Sequence, residues 1–268
     1  MNLLVTLNSN YIFPLCVMLH SLSQTNSQNH FDIYVVYSSL TENDFSLMEK
    51  ALGNADAVIH RVPVYEKIFD SAPVLSRISK ETYYRLLISE LIPNDVHRIL
   101  YLDPDIVIKK DLNKLYNIDM QGKTVAAATH MFNIVKRFNI KRLGLKRTSH
   151  YINAGVMLID VDRWKKQAPV QKILNFISAN IKKLKLADQD VVNMMFENDI
   201  LLIDEKKFNL DEKTFFVNSF RIYTKKTITL EWVKENTVII HYNGSRKPWH
   251  DKKYSGKLGE YFERYKDF

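Results

Sequence analysis

Short apolar runs alternate along the first third of this chain with stretches whose apolar residues fall at helical spacing. Residues 2–7, centred on Leu3-Leu4-Val5, read as a strand. Leu15, Met18, Leu19 and Leu22 then predict a helix over 11–24 with its apolar side on a sheet. A strand over 32–38, a helix opened by Thr41-Glu42-Asn43-Asp44 and running to Leu52, and a strand over 57–62 follow. This β-α-β-α-β order predicts a parallel sheet with right-handed crossovers.

Residues 64–78 show no clear period, and 80–91 read as a helix with Tyr83, Leu86, Leu87 and Leu91 as its stripe and Arg85 on it. The five aliphatic residues Ile99, Leu100, Leu102, Ile106 and Val107 mark a buried strand in a covered sheet. Pro104 cannot donate to a ladder, so the strand is expected to end at Asp103. A short helix over 111–116 and a strand over 123–128 come next. Residues 132–150 carry Lys136, Arg137, Lys141, Arg142, Lys146 and Arg147 among few large apolar residues. That segment reads either as a basic lid on an acceptor side or as a solvated loop. Ala154 and Gly155 precede a strand over 156–161 and allow close approach of a ligand, or simply a tight turn. Helices over 162–168, 170–184 and 191–196 follow, the last with Asp188 as a candidate N-cap. A strand over 200–203, a helix near 230–235, a strand over 238–241 ending in His241, and an aromatic, basic helix over 256–268 complete the pattern. No repeat or linker divides the chain, so one domain over 1–250 with a tail over 251–268 is expected.

Composition narrows the classes. At 46% hydrophobic and 25% charged the chain is an ordinary globular protein. Its net charge of +8 suits nucleic acid, an anionic membrane surface or a phosphorylated substrate. The single cysteine, Cys16, excludes an internal disulfide and a thiolate zinc cluster, and reads as a small core residue in a reducing compartment. No secretory leader and no apolar run of about 18 residues is visible, so a cytoplasmic protein without a transmembrane helix is expected. Only 7 glycines occur, with no Gly-x-x-x-x-Gly-Lys-Ser/Thr loop, Gly-x-Gly-x-x-Gly turn or Gly-x-Ser-x-Gly elbow. That disfavours P-loop enzymes, dinucleotide oxidoreductases and α/β-hydrolases.

Candidate chemistry gathers at strand ends. Asp103-Pro104-Asp105 offers two oxygens from one turn, either to a hard divalent cation or simply to solvent. His241 also ends an apolar strand, and Gly244 and Lys247 follow it closely. Two carboxylates and an imidazole suit Mn²⁺, and glycine with lysine suits a diphosphate.

Six segments together resemble the retaining glycosyltransferases of family 8. They are Asn8-Ser9-Asn10-Tyr11, Tyr83-Tyr84-Arg85-Leu86, Leu100-Tyr101-Leu102-Asp103-Pro104-Asp105, Tyr151-Ile152-Asn153-Ala154-Gly155-Val156, Asp188-Gln189-Asp190-Val191-Val192-Asn193, and the stretch from His241 to Trp249. The resemblance implies a glycosyltransferase-A-type nucleotide-sugar-binding α/β fold, with a mixed, mostly parallel sheet flanked by helices. It also implies UDP-hexose as donor with Mn²⁺ (or Mg²⁺). It makes Asp103, Asp105 and His241 the metal ligands, with Pro104 in the same turn, and puts Gly244 and Lys247 at the diphosphate. Asn8, Asn10 and Tyr11 fall at the uracil and ribose. Arg85, Asn153, Ala154 and Asp188 fall along the donor sugar, with Gln189 beneath the anomeric carbon.

An amide is a poor nucleophile, which favours front-face attack, and Asp190 keeps a double displacement open. Two positions depart from the family. Asn8 stands where an acid is common, and Thr129-His130 stand where an aspartate commonly contacts the sugar. The implied activity moves galactose or glucose to a glycan, a lipid-linked saccharide or a glycoprotein. The tail fits peripheral contact with the inner face of an anionic membrane, or a solvated helix end. The rival is a non-catalytic nucleotide-sugar or nucleic-acid-binding module, supported only by net charge. A sugar-phosphate nucleotidyltransferase would want a glycine-rich basic loop that Asn8-Ser9-Asn10 lacks. No nucleic acid is expected as partner.

Overall fold

Strand β1 (Asn2–Leu7) is buried from Leu3 to Leu7 and sits in the interior of a seven-stranded sheet. The computed structural model describes residues 1–64, 80–129, 133–219, 227–250 and 254–268. On one side of β1, strands β2 (Phe31–Tyr37) and β3 (Ala57–Pro63) add in parallel, linked through helices α1 (Ile12–Thr25) and α2 (Glu42–Leu52). Thr41 and Asp44 close the expected capping box at the start of α2. On its other side β1 pairs in parallel with β4 (Arg98–Leu102). Beyond β4 lie β7 (Val156–Asp160), β6 (Val125–Ala127) and β8 (Ile200–Leu202). Only β7 runs against its neighbours, so the sheet is mixed and mostly parallel, as expected.

The period of two splits each central strand between two cores. Leu3, Val5 and Leu7 join one apolar cluster with Leu15, Met18 and Phe45, while Leu4 joins Tyr101, Met157 and Trp164 in the other. Cys16 is fully buried on α1, and burial pushes its thiol up to about 12, so it is an inert core residue.

Three elements differ from the sequence pattern. The apolar run through Val107 is two strands, not one. The chain leaves the main sheet after Leu102, and β5 (Ile106–Ile108) pairs antiparallel with β9 (Ile239–His241). Residues 80–91 form a 3-10 turn over Lys80–Leu86 and then a short α3 (Ile88–Leu91). Tyr83, Tyr84, Leu86, Leu87 and Ile88 are all buried, so no single stripe exists to hold one amphipathic helix. Between them and β6 lies the short α4 (Asn113–Tyr116). The basic segment holds an eleven-residue helix, α5 (Asn133–Leu143), seated on a small cluster of Ile140, Leu143 and Tyr151. The aperiodic segment 64–78, apart from Val64, and His130 lie outside the described residues.

Helices α6 (Val161–Gln167), α7 (Val170–Asn180) and α8 (Ala187–Met195) follow β7. After β8 come α9 (Glu205–Phe208), α10 (Glu212–Ser219), α11 (Leu230–Asn236) and, beyond β9, α12 (Gly259–Tyr265). The aromatic side of α12 turns inward: Leu258, Tyr261 and Phe262 pack with Val107 and Ile240. No described helix is long and apolar enough to cross a membrane.

Leu158 is fully buried in β7, between β4 and β6, whereas Val58 on edge strand β3 is 46% exposed. Leu158→Ala is expected to cost about 2–5 kcal/mol. Val58→Ala should cost roughly 0.5 kcal/mol or less. Urea midpoints of the two variants measure the contrast.

Candidate active site

The turn Asp103-Pro104-Asp105 joins the main sheet to the small one, and backbone bonds pin both its ends. The Asp103 N–H donates to Gly155 O at 2.8 Å, and Asp105 O accepts from the Tyr242 N–H at 2.9 Å. Pro104 is buried between them. The β5–β9 register sets Ile106 opposite His241. This brings His241 Nε2 to 3.5 Å from Asp103 Oδ2 and 3.2 Å from Asp105 Oδ1. One ligand atom from each residue lies within 4.8 Å of the others, a donor set that can hold a divalent cation such as Mn²⁺ or Mg²⁺.

Gly155 makes that convergence possible. A Cβ there would lie 2.3 Å from His241 Cε1 and 2.5 Å from Asp103 Oδ2. The room that a glycine leaves is taken by the protein's own side chains. The buried Asn209, just past α9, orients the imidazole: its Oδ1 is 2.9 Å from His241 Nδ1, and its Nδ2 donates to Asn153 Oδ1 at 3.1 Å. With Nδ1–H held by an amide oxygen, Nε2 is the atom that faces the carboxylates.

Three cations compensate the buried acids. Burial alone would raise both carboxyl pKa values. At Asp103 the Arg85 guanidinium, His241 and the Tyr101 hydroxyl outweigh it, and at Asp105 His241 and Lys247 do. Both acids therefore stay below the usual carboxylate range. Burial opposes charge on His241, but Asp105 and Asp103 overcome it and raise the imidazole to about 9. Arg85 Nη1 is 2.9 Å from Asp103 Oδ1, and its Nε is 2.9 Å from Asp188 Oδ2. Nη1 also donates to Ala154 O at 3.0 Å, and the guanidinium lies 4.5 Å from the centre of the Tyr101 ring. Lys247 Nζ reaches Asp105 Oδ2 at 2.5 Å and Tyr242 O at 2.6 Å.

The first turn borders this cluster. Asn8 Oδ1 accepts from the Asn10 N–H at 3.0 Å and so caps the 3-10 turn Ser9–Tyr11. Tyr11 meets Trp249 edge to face at 6.3 Å, and its phenol, raised mainly by burial, also feels Lys247, Asp105 and Asp103. Gly244 has open space, the nearest atom to a Cβ there being Arg246 O at 4.0 Å.

The start of α8 completes the arrangement. Asp188 lies inside its first turn and is not the N-cap; its carboxylate serves Arg85, and burial raises it to about 6. Gln189 Oε1 accepts from Asn153 Nδ2 and the Ala154 N–H, each at 3.3 Å. Its Nε2 donates to Tyr151 Oη at 3.3 Å, and that hydroxyl donates to Asp190 Oδ1 at 2.6 Å. Asp190 is fully buried, takes two bonds of 2.8 Å from Arg142 and a third of 2.8 Å from the Leu186 N–H. Two residues apart on a helix point to nearly opposite sides, so Asp188 faces Arg85 while Asp190 faces away.

The profile of glycosyl transferase family 8 matches residues 2–253. The chain belongs to glycosyl transferase family 8. It is 27% identical over 250 residues to a lipopolysaccharide 1,2-glucosyltransferase of Escherichia coli, covering 91% of this chain and 72% of that one. It is likewise 27% identical over 259 residues to a lipopolysaccharide 1,3-galactosyltransferase of Salmonella typhimurium, covering 93% of this chain and 73% of the relative. Among solved structures it superposes on the galactosyltransferase LgtC, crystallised with donor and acceptor sugar analogs. The TM-score is 0.83 at 23% identity, over 99% of this chain and 95% of that one. The fold is thus of the glycosyltransferase-A type, and family membership bears out an enzyme of the hexosyltransferase class.

For this family 8 enzyme the structure brings together Arg85, Asp103, Asp105, Asn153, Ala154, Asp188, Gln189, His241 and Lys247 through direct contacts. It does not bring Asp190 to that group. The acid proposed for a covalent route is instead neutralised by Arg142 in a buried network. Asn209 and Tyr151 are additions: Asn209 follows a helix in a stretch with no apolar period, and nothing in its local sequence marks it. Thr129, at the position where the family favours an aspartate, donates to Glu205 Oε2 at 3.4 Å.

The raised imidazole has a thermodynamic consequence. Its pKa is about 9 folded against 6.5 for an imidazole free in water. His241 therefore adds stability that is complete below the unfolded value and lost as pH rises through the folded one. Histidine NMR without added cation should show one imidazole titrating near pH 9. It should shift down in Asp105→Asn, and a His241 imidazole titrating at or below its ordinary value in the native chain would contradict this electrostatic account.

Proposed function

We propose that this enzyme transfers galactose or glucose from a UDP-hexose to a saccharide acceptor with retention at the anomeric carbon. In this reading the acceptor is a glycan, a lipid-linked saccharide or a glycoprotein. The residues from 1 to 250 form the catalytic domain and 251–268 its tail. The observation that carries it is the buried convergence of Asp103, Asp105 and His241 within reach of Lys247, tied through Arg85 to Asp188. The names of the two lipopolysaccharide hexosyltransferase relatives support the donor and acceptor class.

The roles follow from charge. Cleavage of a glycosyl–phosphate bond leaves negative charge on UDP and develops positive charge on the sugar. Asp103, Asp105 and His241 would hold Mn²⁺ or Mg²⁺, which supplies Lewis-acid stabilisation to the departing diphosphate. Lys247 adds an ammonium on the same side, and Gly244 lets the diphosphate approach the backbone. Asn8, Asn10 and Tyr11 take the uracil and ribose; the second lone pair of Asn8 Oδ1 remains for a ring N–H. Arg85, Asn153 and Ala154 position the hexose, with Asp188 accepting from its hydroxyls. Gln189 presents an amide oxygen toward the developing positive charge. With Asp190 saturated by Arg142, Tyr151 and the Leu186 N–H, no free carboxylate stands beside Gln189 on its helix face. Front-face attack then assigns proton acceptance to the departing phosphate oxygen, and the acceptor bond forms on the face the phosphate leaves.

Release of UDP from UDP-galactose and UDP-glucose with Mn²⁺, followed with and without a saccharide acceptor, tests the reading. Asp105→Asn and His241→Ala are each expected to lower that rate at least about a hundredfold. Rates within a few-fold of the parent chain would overturn the assignment.

Cation and proton compete for His241. Since the imidazole is held to about 9, Mn²⁺ binding at neutral pH should release close to one proton per ion. Calorimetry in two buffers of different ionisation enthalpy measures it. Apparent affinity should climb roughly tenfold per pH unit below the folded pKa and level off above it.

A further inference from the structure

We infer that the outward face of α5, together with the segment between α7 and α8, docks this enzyme on an anionic lipid bilayer. The sequence pattern leaves the tail as either a membrane contact or a solvated helix end, but Tyr261 and Phe262 there are only 3% and 2% exposed. Exposed apolar side chains are scattered over the described surface, Phe13 beside the tail and Phe216 on α10 among them, but three fall on these two segments: Phe138 is 59% exposed, Val135 44% and Leu186 41%. They sit among cations. Five lysines and arginines besides Arg142 fall between 136 and 147, and three lysines fall between 182 and 185. No Asp or Glu occurs within 133–150 or 181–187. Both segments therefore carry positive charge alone.

The two segments form one surface. Arg142 Nη1 donates to Lys183 O, and Lys185 Nζ stands 5.9 Å from the centre of the Phe138 ring. The acids packed against it are engaged: Asp190 with Arg142, and Glu197 with the Lys146 N–H and the Ser149 hydroxyl.

Charge alone would suit any polyanion. Phe138 decides for a bilayer, since an exposed ring flanked by Arg137, Lys141 and Lys185 gains free energy at the boundary of headgroups and acyl chains while the cations meet acidic headgroups. A soluble polyanion without bases offers the ring nothing comparable, and Val135 and Leu186, exposed on the same two segments, give a nucleic-acid base no ring to stack on. Arg142 anchors this face to Asp190, the neighbour of Gln189, so docking would hold the candidate active site close to lipid-borne acceptors. The inference does not depend on the donor, because docking is measured without donor or cation.

Cosedimentation with phosphatidylcholine vesicles, and with vesicles that also contain phosphatidylglycerol, provides the test. Binding is expected only to the second kind and should weaken as salt is added. The double variant Lys141→Glu/Lys185→Glu should bind at least about thirtyfold more weakly. Phe138→Ser should also weaken binding. Both should keep the parent melting temperature, which separates lost docking from lost folding. Equal binding to both vesicles would overturn the inference, as would unchanged affinity in both variants. So would loss of binding through Arg264→Glu/Lys266→Glu instead, or vesicle binding unaffected by Phe138→Ser and abolished by soluble heparin.

Discussion

Two carboxylates lie side by side at the junction of two sheets, largely out of water, and the rest of the site exists to make that tolerable. An isolated buried carboxylate carries a penalty of several kcal/mol, and two in contact repel as well. Three cations answer it, from two distant parts of the chain: Arg85 on a 3-10 turn, and His241 at the end of β9 with Lys247 just beyond. Further groups make the geometry attainable. Gly155 leaves the space, Asn209 sets the imidazole, and the Tyr101 hydroxyl donates to Asp103 at 2.7 Å. A site built on compensated charge is ready for a divalent cation, because the ion can displace the His241 proton while Arg85 stays in place.

Arg85 extends the same electrostatics to α8. It bridges Asp103 and Asp188, and its contact with Ala154 O ties in the strand entry that also receives Gln189. From Gln189 the bonds continue through Tyr151 to Asp190 and Arg142. The cation cluster and the residues around Gln189 are therefore one connected polar network set into an apolar core. Such networks lose more than one contact when any member is removed. Asp190 earns its place here as a fully satisfied support for Tyr151 and Gln189.

Topology explains the location. Strand order reverses at β1, with β2 on one edge and β4 on the other, and open α/β sheets collect ligands beyond the carboxyl ends of the strands at such a switch point. Asn8 follows β1 there and Asp103 follows β4. The departure of β5 from the main sheet carries Asp105 toward β9, so the small sheet is the device that delivers His241.

The local sequence determined much of this protein. Short apolar runs marked the strands that became β1, β2 and β3, helical spacing and the Thr41–Asp44 box marked α1 and α2, and six ordered segments carried the family likeness. Those signals are local, since periodicity and capping depend on neighbours within a few residues. The tertiary structure decided what depends on distant partners. It split the run around Asp103-Pro104-Asp105 between two sheets, and it turned 80–86 into a 3-10 turn because its apolar residues are buried on every side. It gave Asp190 to Arg142, and it set Asn209 behind His241. The basic stretch became a helix whose exposed ring and cations share one face, while the aromatic tail went into the core. Burial and charge compensation are properties of residues far apart in the chain, and no reading of neighbours alone reaches them.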